Sequence, residues 1–316
     1  MEALVYTRPG TVAMLDVAEP VPAADEVLID VAFAGICGSE LHGISKPGFR
    51  QPPLVMGHEF SGTTADGRRV TVNPIGHCGG CDLCLVGREN LCRERAIVGI
   101  HRAGAFAERV VVPGHLIHEL PDDLPFEVAA MIEPLANGVH AWALAGEPAG
   151  ARVGVIGAGT IGLVTLLAAK AGGAGDVTVV DVTAARLPLA EKLGAAAVGA
   201  ALEGEYDVVI DAVGIGATHE ASLRHLKPGG TTVWVGLMGT DPGFDSTELV
   251  RQEKAVRGSF AYTDREFARA ITLAAGCDLG WTDVYPLGRG AEIFTDLMHG
   301  QAGDVVKALL APQAGA

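Results

Sequence analysis

The strongest constraint on the fold is a regular alternation of strand-like and helix-like segments that begins near residue 152. A parallel strand can follow another only through a crossover connection, usually a helix, so this alternation predicts a doubly wound parallel sheet with helices on both faces. The predicted strands are 152–156, 176–181, 197–199, 207–213, 231–236 and 255–260. The predicted helices are 160–171, 184–193, 217–226, 246–253 and 264–275, the third closed by a turn at 227–230.

A glycine-rich turn joins the first of these strands to the first helix. Glycines at such a turn allow a sharp bend, let the backbone approach a pyrophosphate and bring helix and strand close together, while the helix N-terminus attracts the phosphates. A turn rich in glycine for packing alone is the alternative, but the strand before it and the helix after it favour dinucleotide binding. The candidate contacts are Gly157, Gly159, Thr160, Ile161 and Gly162.

Asp181 predicts which dinucleotide binds, since it ends the second strand 19 residues after Gly162. A carboxylate at this position hydrogen-bonds the ribose 2′-hydroxyl of NAD. No arginine stands beside it at Val182 or Thr183, so a 2′-phosphate would meet the carboxylate without an adjacent cation. NAD is therefore favoured over NADP. Arg186, in the following helix, is included among the candidate cofactor-binding residues.

The rest of the chain predicts a second, mostly β domain. Short strand-like segments separated by Gly and Pro turns occupy 3–6, 12–17, 26–33, 69–72 and 105–112, and a helical spacing of apolar residues follows over 126–145. After a turn-rich patch at 276–290, a helix at 290–300 and a strand at 304–310 are predicted. We assign 1–135 and 276–316 to this domain and 136–275 to the dinucleotide-binding domain.

The most specific motif contains four cysteines, Cys78, Cys81, Cys84 and Cys92. Four thiolates at these separations can surround a zinc ion as a tetrahedron, and the Gly79-Gly80 pair allows the sharp turns that this requires. Sulfur would fill all four positions, which predicts a structural zinc rather than a catalytic one. Four unligated thiols on an exposed loop are the alternative, which their sensitivity to oxidation disfavours.

A second possible metal site depends on residues that are far apart in the sequence, namely Cys37, His58, Glu59 and Glu133. One thiolate, one imidazole and one carboxylate make a three-ligand zinc site with an open fourth position, as in catalytic zinc sites. Taken singly, each residue is better explained without a metal: Cys37 as a small buried apolar residue, His58 as a hydrogen-bonded core residue and Glu133 as a surface charge. Only convergence in the fold would make them a site.

Composition limits the partners of this chain. Its 38 acidic and 23 basic side chains give a formal net charge of −15, which disfavours binding to nucleic acid or to anionic membrane surfaces. The longest apolar segment, 161–171, is well short of the roughly 20 residues of a membrane span. Residues 1–10 do not resemble a secretory signal, and the cysteines suit metal binding in a reducing compartment, so a cytoplasmic location is expected.

Five motifs in order resemble those of the zinc-dependent medium-chain alcohol dehydrogenases over essentially the whole chain. They are Cys37-Gly38-Ser39-x-x-His42, Gly57-His58-Glu59-x-x-Gly62, the four-cysteine motif, Glu133-Pro134-Leu135 and Gly157-x-Gly159-x-x-Gly162. Glutamate at 133, where the vertebrate liver enzymes have cysteine, resembles the sorbitol, butanediol and threonine dehydrogenase branch. The resemblance implies an α/β protein with a mostly β GroES-like catalytic domain and a Rossmann cofactor domain.

The same resemblance implies residue roles. The implied ligands of a catalytic zinc are Cys37, His58 and either Glu59 or Glu133. Ser39 would accept the alcohol proton, and His42 would pass it toward solvent through the nicotinamide ribose. The chain departs from the family at Glu40, where an aspartate is usual, and this leaves the role of that acid beside the zinc open.

The predicted function is NAD-dependent oxidation of a secondary alcohol in a small polyol, diol or amino alcohol, by a homodimer or homotetramer with two zinc ions per chain. Two alternatives stay open. One is a biosynthetic ketone or aldehyde reductase of the same family, and the other is a non-catalytic dinucleotide-binding redox sensor in which the second set of metal ligands is idle. A count of tightly bound metal separates the enzyme from the sensor.

Overall fold

The computed structural model describes residues 1–45, 50–239 and 246–312. The strands are β1 (Glu2–Arg8), β2 (Thr11–Asp16), β3 (Glu26–Gly35), β4 (Leu54–Val55), β5 (Glu59–Thr64), β6 (Arg69–Val72), β7 (Ile75–Gly76), β8 (Ala96–Ile97), β9 (Arg109–Pro113), β10 (Ile117–Glu119), β11 (Val153–Ile156), β12 (Val177–Val180), β13 (Ala197–Gly199), β14 (Tyr206–Asp211), β15 (Leu226–Trp234), β16 (Ala255–Gly258), β17 (Asp283–Pro286) and β18 (Ala308–Ala311). The α-helices are α1 (Gly38–Gly43), α2 (Asp82–Leu85), α3 (Phe126–Ala129), α4 (Ile132–Leu144), α5 (Thr160–Ala171), α6 (Leu187–Lys192), α7 (Gly216–Arg224), α8 (Ser246–Arg251), α9 (Asp264–Ala274) and α10 (Gly290–Met298).

The chain divides into two units, one of Met1–Glu133 with Thr263–Ala316 and one of Pro134–Tyr262. The first unit is mostly β. Its largest sheet has the order β10-β6-β5-β3-β18-β17, with β9 also paired to β3. Strand β3 therefore has three partners, and apolar side chains from β1, β3, β6 and α10 fill the core beneath it. Strand β3 ends at Gly35, two residues before Cys37, so this strand with three partners positions the start of α1.

The second unit contains a six-stranded parallel sheet in the order β13-β12-β11-β14-β15-β16. The predicted doubly wound parallel sheet is confirmed. The strand order reverses between β11 and β14, and ligands of such sheets bind beyond the carboxyl ends of the strands at this point. The glycine-rich turn follows β11, so the fold places it where a dinucleotide would be bound.

One local prediction is wrong and another is incomplete. Strand β15 begins at Leu226, so the residues predicted as a turn at 227–230 lie within it. Its register with β14 shifts between Tyr206 and Val208, and this irregularity accommodates the Pro and Gly residues without ending the strand. The patch at 276–290 contains strand β17, which pairs in parallel with β18 at the edge of its sheet, where Pro286 does not interrupt a central ladder.

Helix α9 belongs to the first unit, whereas its position in the sequence placed it in the predicted cofactor domain, 136–275. The physical reason is its N-terminus. The Asp264 carboxylate accepts hydrogen bonds from Asn73 Nδ2 at 2.7 Å and His77 Nε2 at 2.9 Å, and the Asp264 amide donates to Glu89 Oε1 at 2.7 Å. Side-chain contacts of this kind cannot be derived from helical periodicity.

Across the described parts of the chain, no helix combines the length and the apolar character that crossing a membrane requires.

The close packing of α5 on β11 gives a direct test of the glycine-rich turn. A Cβ at Gly162 would lie 1.7 Å from the carbonyl oxygen of Gly157, whereas at Gly159 no described atom would lie within 4 Å. We expect Gly162→Ala to lower the free energy of unfolding by about 1–3 kcal/mol or more because the helix must move away from the strand. Gly159→Ala should cost less than about 1 kcal/mol. Thermal unfolding of both variants checks this, and equal effects would contradict the packing argument.

Candidate active site and metal centres

Helix α1 and its N-cap carry four of the residues singled out from the sequence, although the helix has only six residues. Cys37 is its N-cap, and the Ser39 amide donates a hydrogen bond to Cys37 Sγ at 3.5 Å. An isolated helix this short is unstable in water, so α1 must be fixed by contacts with the rest of the unit. The next residue, Glu40, supplies several of them.

Glu40 is fully buried and its carboxylate accepts three hydrogen bonds. The donors are the amide of Cys37 at 3.1 Å, the amide of Gly57 at 2.9 Å and Nδ1 of His58 at 3.1 Å. Burial alone would raise the pKa of Glu40, but the charge of His58, its hydrogen bond and the charge of Arg50 lower that pKa overall. Because Nδ1 of His58 is directed at Glu40, Nε2 is the ring nitrogen left for a metal.

His58 and Glu59 stand at the start of β5, beside the end of β3. Gly35 of β3 pairs with Glu59, and Gly57 has φ +97°, a backbone conformation that favours glycine immediately before His58. Ligand atoms of Cys37, His58 and Glu59 lie within 4.8 Å of one another. The structure therefore brings together three of the four residues that the sequence singled out for a second metal site.

Lys307 is a member of this cluster that sequence reasoning missed. It is 2% exposed, and its Nζ donates hydrogen bonds to Glu59 Oε2 and to the carbonyl oxygen of Ile36. A Cβ on Gly35 would lie 2.4 Å from Glu59 Oε2 and 2.9 Å from Lys307 Cε, so glycine makes room for the ion pair. Burial would lower the pKa of Lys307, but the charge of Glu59, followed by that of Cys37, raises it. The one available signal was a lysine inside an otherwise apolar segment, 305–311.

Glu133 lies in the first turn of α4 and is 7% exposed. It is not part of the group formed by Cys37, His58 and Glu59, although its charge contributes to raising the pKa of Lys307. Glu133 therefore lies outside the converging group and has an electrostatic influence on Lys307.

Ser39 and His42 lie one helical turn apart on α1. Residues three apart on a helix lie on the same face, and here Ser39 is half-buried while His42 is exposed. The pair therefore connects the neighbourhood of Cys37 with the surface of the unit.

The four cysteines converge as the spacing predicted. Neighbouring sulfur atoms are 3.5 Å apart for Cys81–Cys84 and for Cys78–Cys92, 3.9 Å for Cys81–Cys92 and 4.0 Å for Cys78–Cys84. A tetrahedron with zinc–sulfur bonds of about 2.3 Å has edges of about 3.8 Å, so this donor set fits zinc.

Backbone N–H groups that stabilise negative charge contact three of these sulfur atoms, those of Cys81, Cys84 and Cys92. The Cys84 amide is the first cause that lowers the pKa of Cys81 to about 6, and the Cys78 amide is the first that lowers the pKa of Cys92. Burial raises the pKa of Cys84 to about 12. A bound metal would favour the thiolate form at all four cysteines.

The dinucleotide turn and Asp181 are joined by a hydrogen bond. Asp181 Oδ2 accepts from the amide of Ala158 at 2.8 Å, and Oδ1 accepts from the amide of Thr183 at 2.7 Å. Gly157 has φ +102°, and Thr160 begins α5. Arg186 Nη1 lies 3.8 Å from Asp181 Oδ2, closer than its separation of five residues in the sequence suggested.

Both units contain residues that match known protein families. Residues 23–122 match the alcohol dehydrogenase GroES-like domain family, and residues 160–276 match the zinc-binding dehydrogenase family. The chain is 32% identical to (R,R)-butanediol dehydrogenase of Saccharomyces cerevisiae, over 94% of this chain and 92% of that protein. It is 34% identical to L-threonine 3-dehydrogenase of Streptomyces coelicolor, over 97% of this chain and 98% of that protein.

A solved structure gives the same result. A Sinorhizobium meliloti 1021 protein described as a zinc-binding dehydrogenase bound to NADP is 31% identical, with a TM-score of 0.91 over 98% of this chain and 99% of that chain. The predicted fold class, with GroES-like and Rossmann domains, and the predicted enzyme class, dependent on zinc and NAD, are confirmed. The chain belongs to the family of zinc-dependent medium-chain alcohol dehydrogenases.

Proposed function

We propose that this enzyme oxidises a secondary alcohol group of a small diol, polyol or amino alcohol, with a catalytic zinc held by Cys37, His58 and Glu59. The observation that carries the proposal is the convergence of ligand atoms from these three residues within 4.8 Å. His58 and Glu59 are buried and Cys37 is half-buried, so the ligand set suits an ion that is largely shielded from bulk water.

Glu59 is preferred to Glu133 as the third ligand, a choice that the sequence left open. The Glu59 carboxylate belongs to the converging group, and Lys307 binds only its Oε2, which leaves Oε1 for a metal. Glu133 acts through its charge on Lys307. Its proposed role is to balance the buried lysine.

In the proposed reaction, zinc and NAD would act on the alcohol oxygen and the hydride, and side chains of the protein would move the proton. A zinc ion in this ligand set would act as a Lewis acid on the alcohol oxygen, and NAD would accept the hydride. Ser39 would accept the alcohol proton at Oγ as its own proton leaves toward His42. Because His42 is exposed, the proton can continue to solvent.

The proposed substrate class is based on the substrates named for two relatives of this chain. Butanediol and the 3-position of threonine both present a secondary hydroxyl next to a second polar group, and the same class is proposed here. The second polar group distinguishes this class from simple alcohols and would provide a hydrogen-bonding handle that fixes the reacting carbon.

Asp181 is proposed to select NAD by binding the ribose 2′-hydroxyl. Its two oxygen atoms are oriented by the amides of Ala158 and Thr183 and retain lone pairs for a further donor. The charge of Arg186 is partly offset by Asp181, so this arginine is not a free cation for a 2′-phosphate.

The assembly is proposed to be a homodimer or homotetramer located in the cytoplasm, with two zinc ions per chain, one catalytic and one structural at the four cysteines. Sedimentation of the purified enzyme measures the number of subunits. Metal analysis measures the zinc content.

The purified enzyme should contain about two zinc ions per chain. Cys37→Ser and Glu59→Gln should each remove one zinc and keep the zinc of the four cysteines, while Glu133→Gln, the matched control, should keep both. Cys81→Ser should lose the other zinc and lower stability or soluble yield, because a closed structural site contributes to folding. Elemental analysis checks each variant. Loss of a zinc from Glu133→Gln but not from Glu59→Gln would reverse the ligand assignment.

Measurements of kcat should distinguish the role of the catalytic zinc from that of the proton relay. Cys37→Ser should lower kcat by about a thousandfold or more, since several kcal/mol of charge stabilisation are lost at 1.36 kcal/mol per tenfold. Ser39→Ala should also slow turnover, but with both zinc ions retained. NADH formation with a panel of diols, polyols and amino alcohols provides the measurement. A Cys37→Ser variant that loses one zinc but oxidises alcohol at the original rate would refute the mechanism.

Cofactor preference should depend on Asp181. Replacing Asp181 with Ser and Val182 with Arg should shift kcat/KM toward NADP, because this removes the bond to the 2′-hydroxyl and adds a cation. Val182 is 92% exposed, so the arginine fits without a clash. Val182→Arg alone is the control and should change the preference less. An original enzyme that already prefers NADP would show that Asp181 does not have this role.

A further inference from the structure

Arg50 is a buried cation beside the proposed proton acceptor. Its side chain is almost completely buried, at 1% exposure, in a unit whose core is apolar. Two of its nitrogen atoms contact the same residue: Nη1 donates to the carbonyl oxygen of Ser39 at 2.9 Å, and Nη2 donates to Ser39 Oγ at 3.4 Å. The planar guanidinium fork thus binds the backbone and the side chain of one residue.

Burying a guanidinium is costly unless negative charge compensates for it. Glu40, fully buried next to Ser39 in the sequence, provides that charge, and the two groups interact electrostatically. The first turn of α1 therefore has a buried carboxylate that orients His58 and a buried guanidinium that orients Ser39. Arg50 can therefore act on Ser39 through hydrogen bonds and positive charge, neither of which an apolar side chain at this position would supply.

The hydrogen bond from Arg50 Nη2 limits which further hydrogen bonds the Ser39 hydroxyl can make. A hydroxyl has one proton and two lone pairs, and Nη2 occupies one lone pair. The remaining lone pair can accept one proton while the original O–H donates onward, which is the minimum that a relay requires. A cationic donor also stabilises any negative charge that develops on Oγ if the outgoing proton leaves first.

We propose that Arg50 is a positioning residue for the proton relay, one that fixes Ser39 Oγ without itself touching the substrate. In this step the substrate O–H bond breaks as a bond from that proton to Ser39 Oγ forms, and the original Ser39 proton leaves in the direction of His42 and solvent. No oxidant or reductant enters this part of the reaction. The inference rests on the proposed function, because it assumes that Ser39 accepts the alcohol proton.

Arg50→Met is the principal test. It should lower kcat by about 10-fold to 100-fold, at or below the lower end of what a general acid–base group contributes, with KM changed by less than about threefold. Both zinc ions should be retained, and the solvent deuterium isotope effect on kcat should increase because proton transfer becomes slower. An unchanged kcat and isotope effect would overturn the proposal.

A double-mutant cycle identifies the hydroxyl as the target. If Arg50 acts through Ser39 Oγ, Arg50→Met should change kcat by less than about twofold when Ser39 is already alanine, since the hydroxyl it orients is absent. The bond to the Ser39 carbonyl oxygen persists in that background, so any larger effect would measure anchoring of the helix. An equal loss of kcat in both backgrounds would overturn the proposal.

Two further variants guard against misfolding. Arg50→Lys keeps the charge but cannot bind both atoms of Ser39 through a planar fork, so its kcat should lie between those of Arg50→Met and the original enzyme. A kcat for Arg50→Lys equal to that of Arg50→Met would overturn the role of the charge. Arg102→Met is the matched control: this guanidinium also donates to a carbonyl oxygen, that of Val111, at 3.1 Å, and pairs with Glu26 at 2.6 Å. It should lower stability but leave kcat within about twofold.

Failure of this inference differs from failure of the proposed function. If Ser39→Ala slows turnover and Arg50→Met does not, only the role of Arg50 is wrong. If Ser39→Ala turns over at the original rate, the proton relay of the proposed function is wrong, and the role of Arg50 falls with it.

Discussion

The buried carboxylate of Glu40 is the constraint on which the catalytic part of the first unit depends. Its three donors come from the start of α1, from the turn before β5 and from the ring of His58. Without them a buried carboxylate would cost several kcal/mol, so the same bonds that stabilise the acid also fix two of the three proposed zinc ligands. The family usually has aspartate here. The longer glutamate still reaches His58, which answers the question that the sequence left open.

Charge balance explains why the buried groups occur together. A thiolate at Cys37 and a carboxylate at Glu59 would offset the two positive charges of zinc, with His58 neutral when it is a ligand. Lys307 then needs another partner, and the charge of Glu133 favours its protonated form. Arg50 is offset in the same way by Glu40. Each buried cation in this cluster has a carboxylate that compensates for it, and this allows a polar site in a largely apolar unit.

The sequence predicted the features that depend on local pattern. Helix 160–171 and strand 197–199 have the predicted bounds, and the four cysteines converge because their spacing is short. It left both Glu59 and Glu133 open as ligands, because the position of Glu59 depends on the pairing of β5 with β3 and on Lys307, which is 248 residues from Glu59. In the structure α9 groups with the first unit through contacts with Asn73, His77 and Glu89, which are made by side chains distant in sequence.

The two proposed metal centres differ in what holds their ligands in position. Around the four cysteines, α2 has only four residues, Leu85 and Val86 are 74% and 69% exposed, and little apolar surface is buried. A metal ion would therefore act as the core of this segment, and its binding energy would be folding energy. Around Cys37, His58 and Glu59 the geometry is already fixed by Glu40, Lys307 and the space at Gly35. A site that the protein holds in place without its metal can leave one coordination position open for a substrate, whereas a site formed by its metal must use all four for stability.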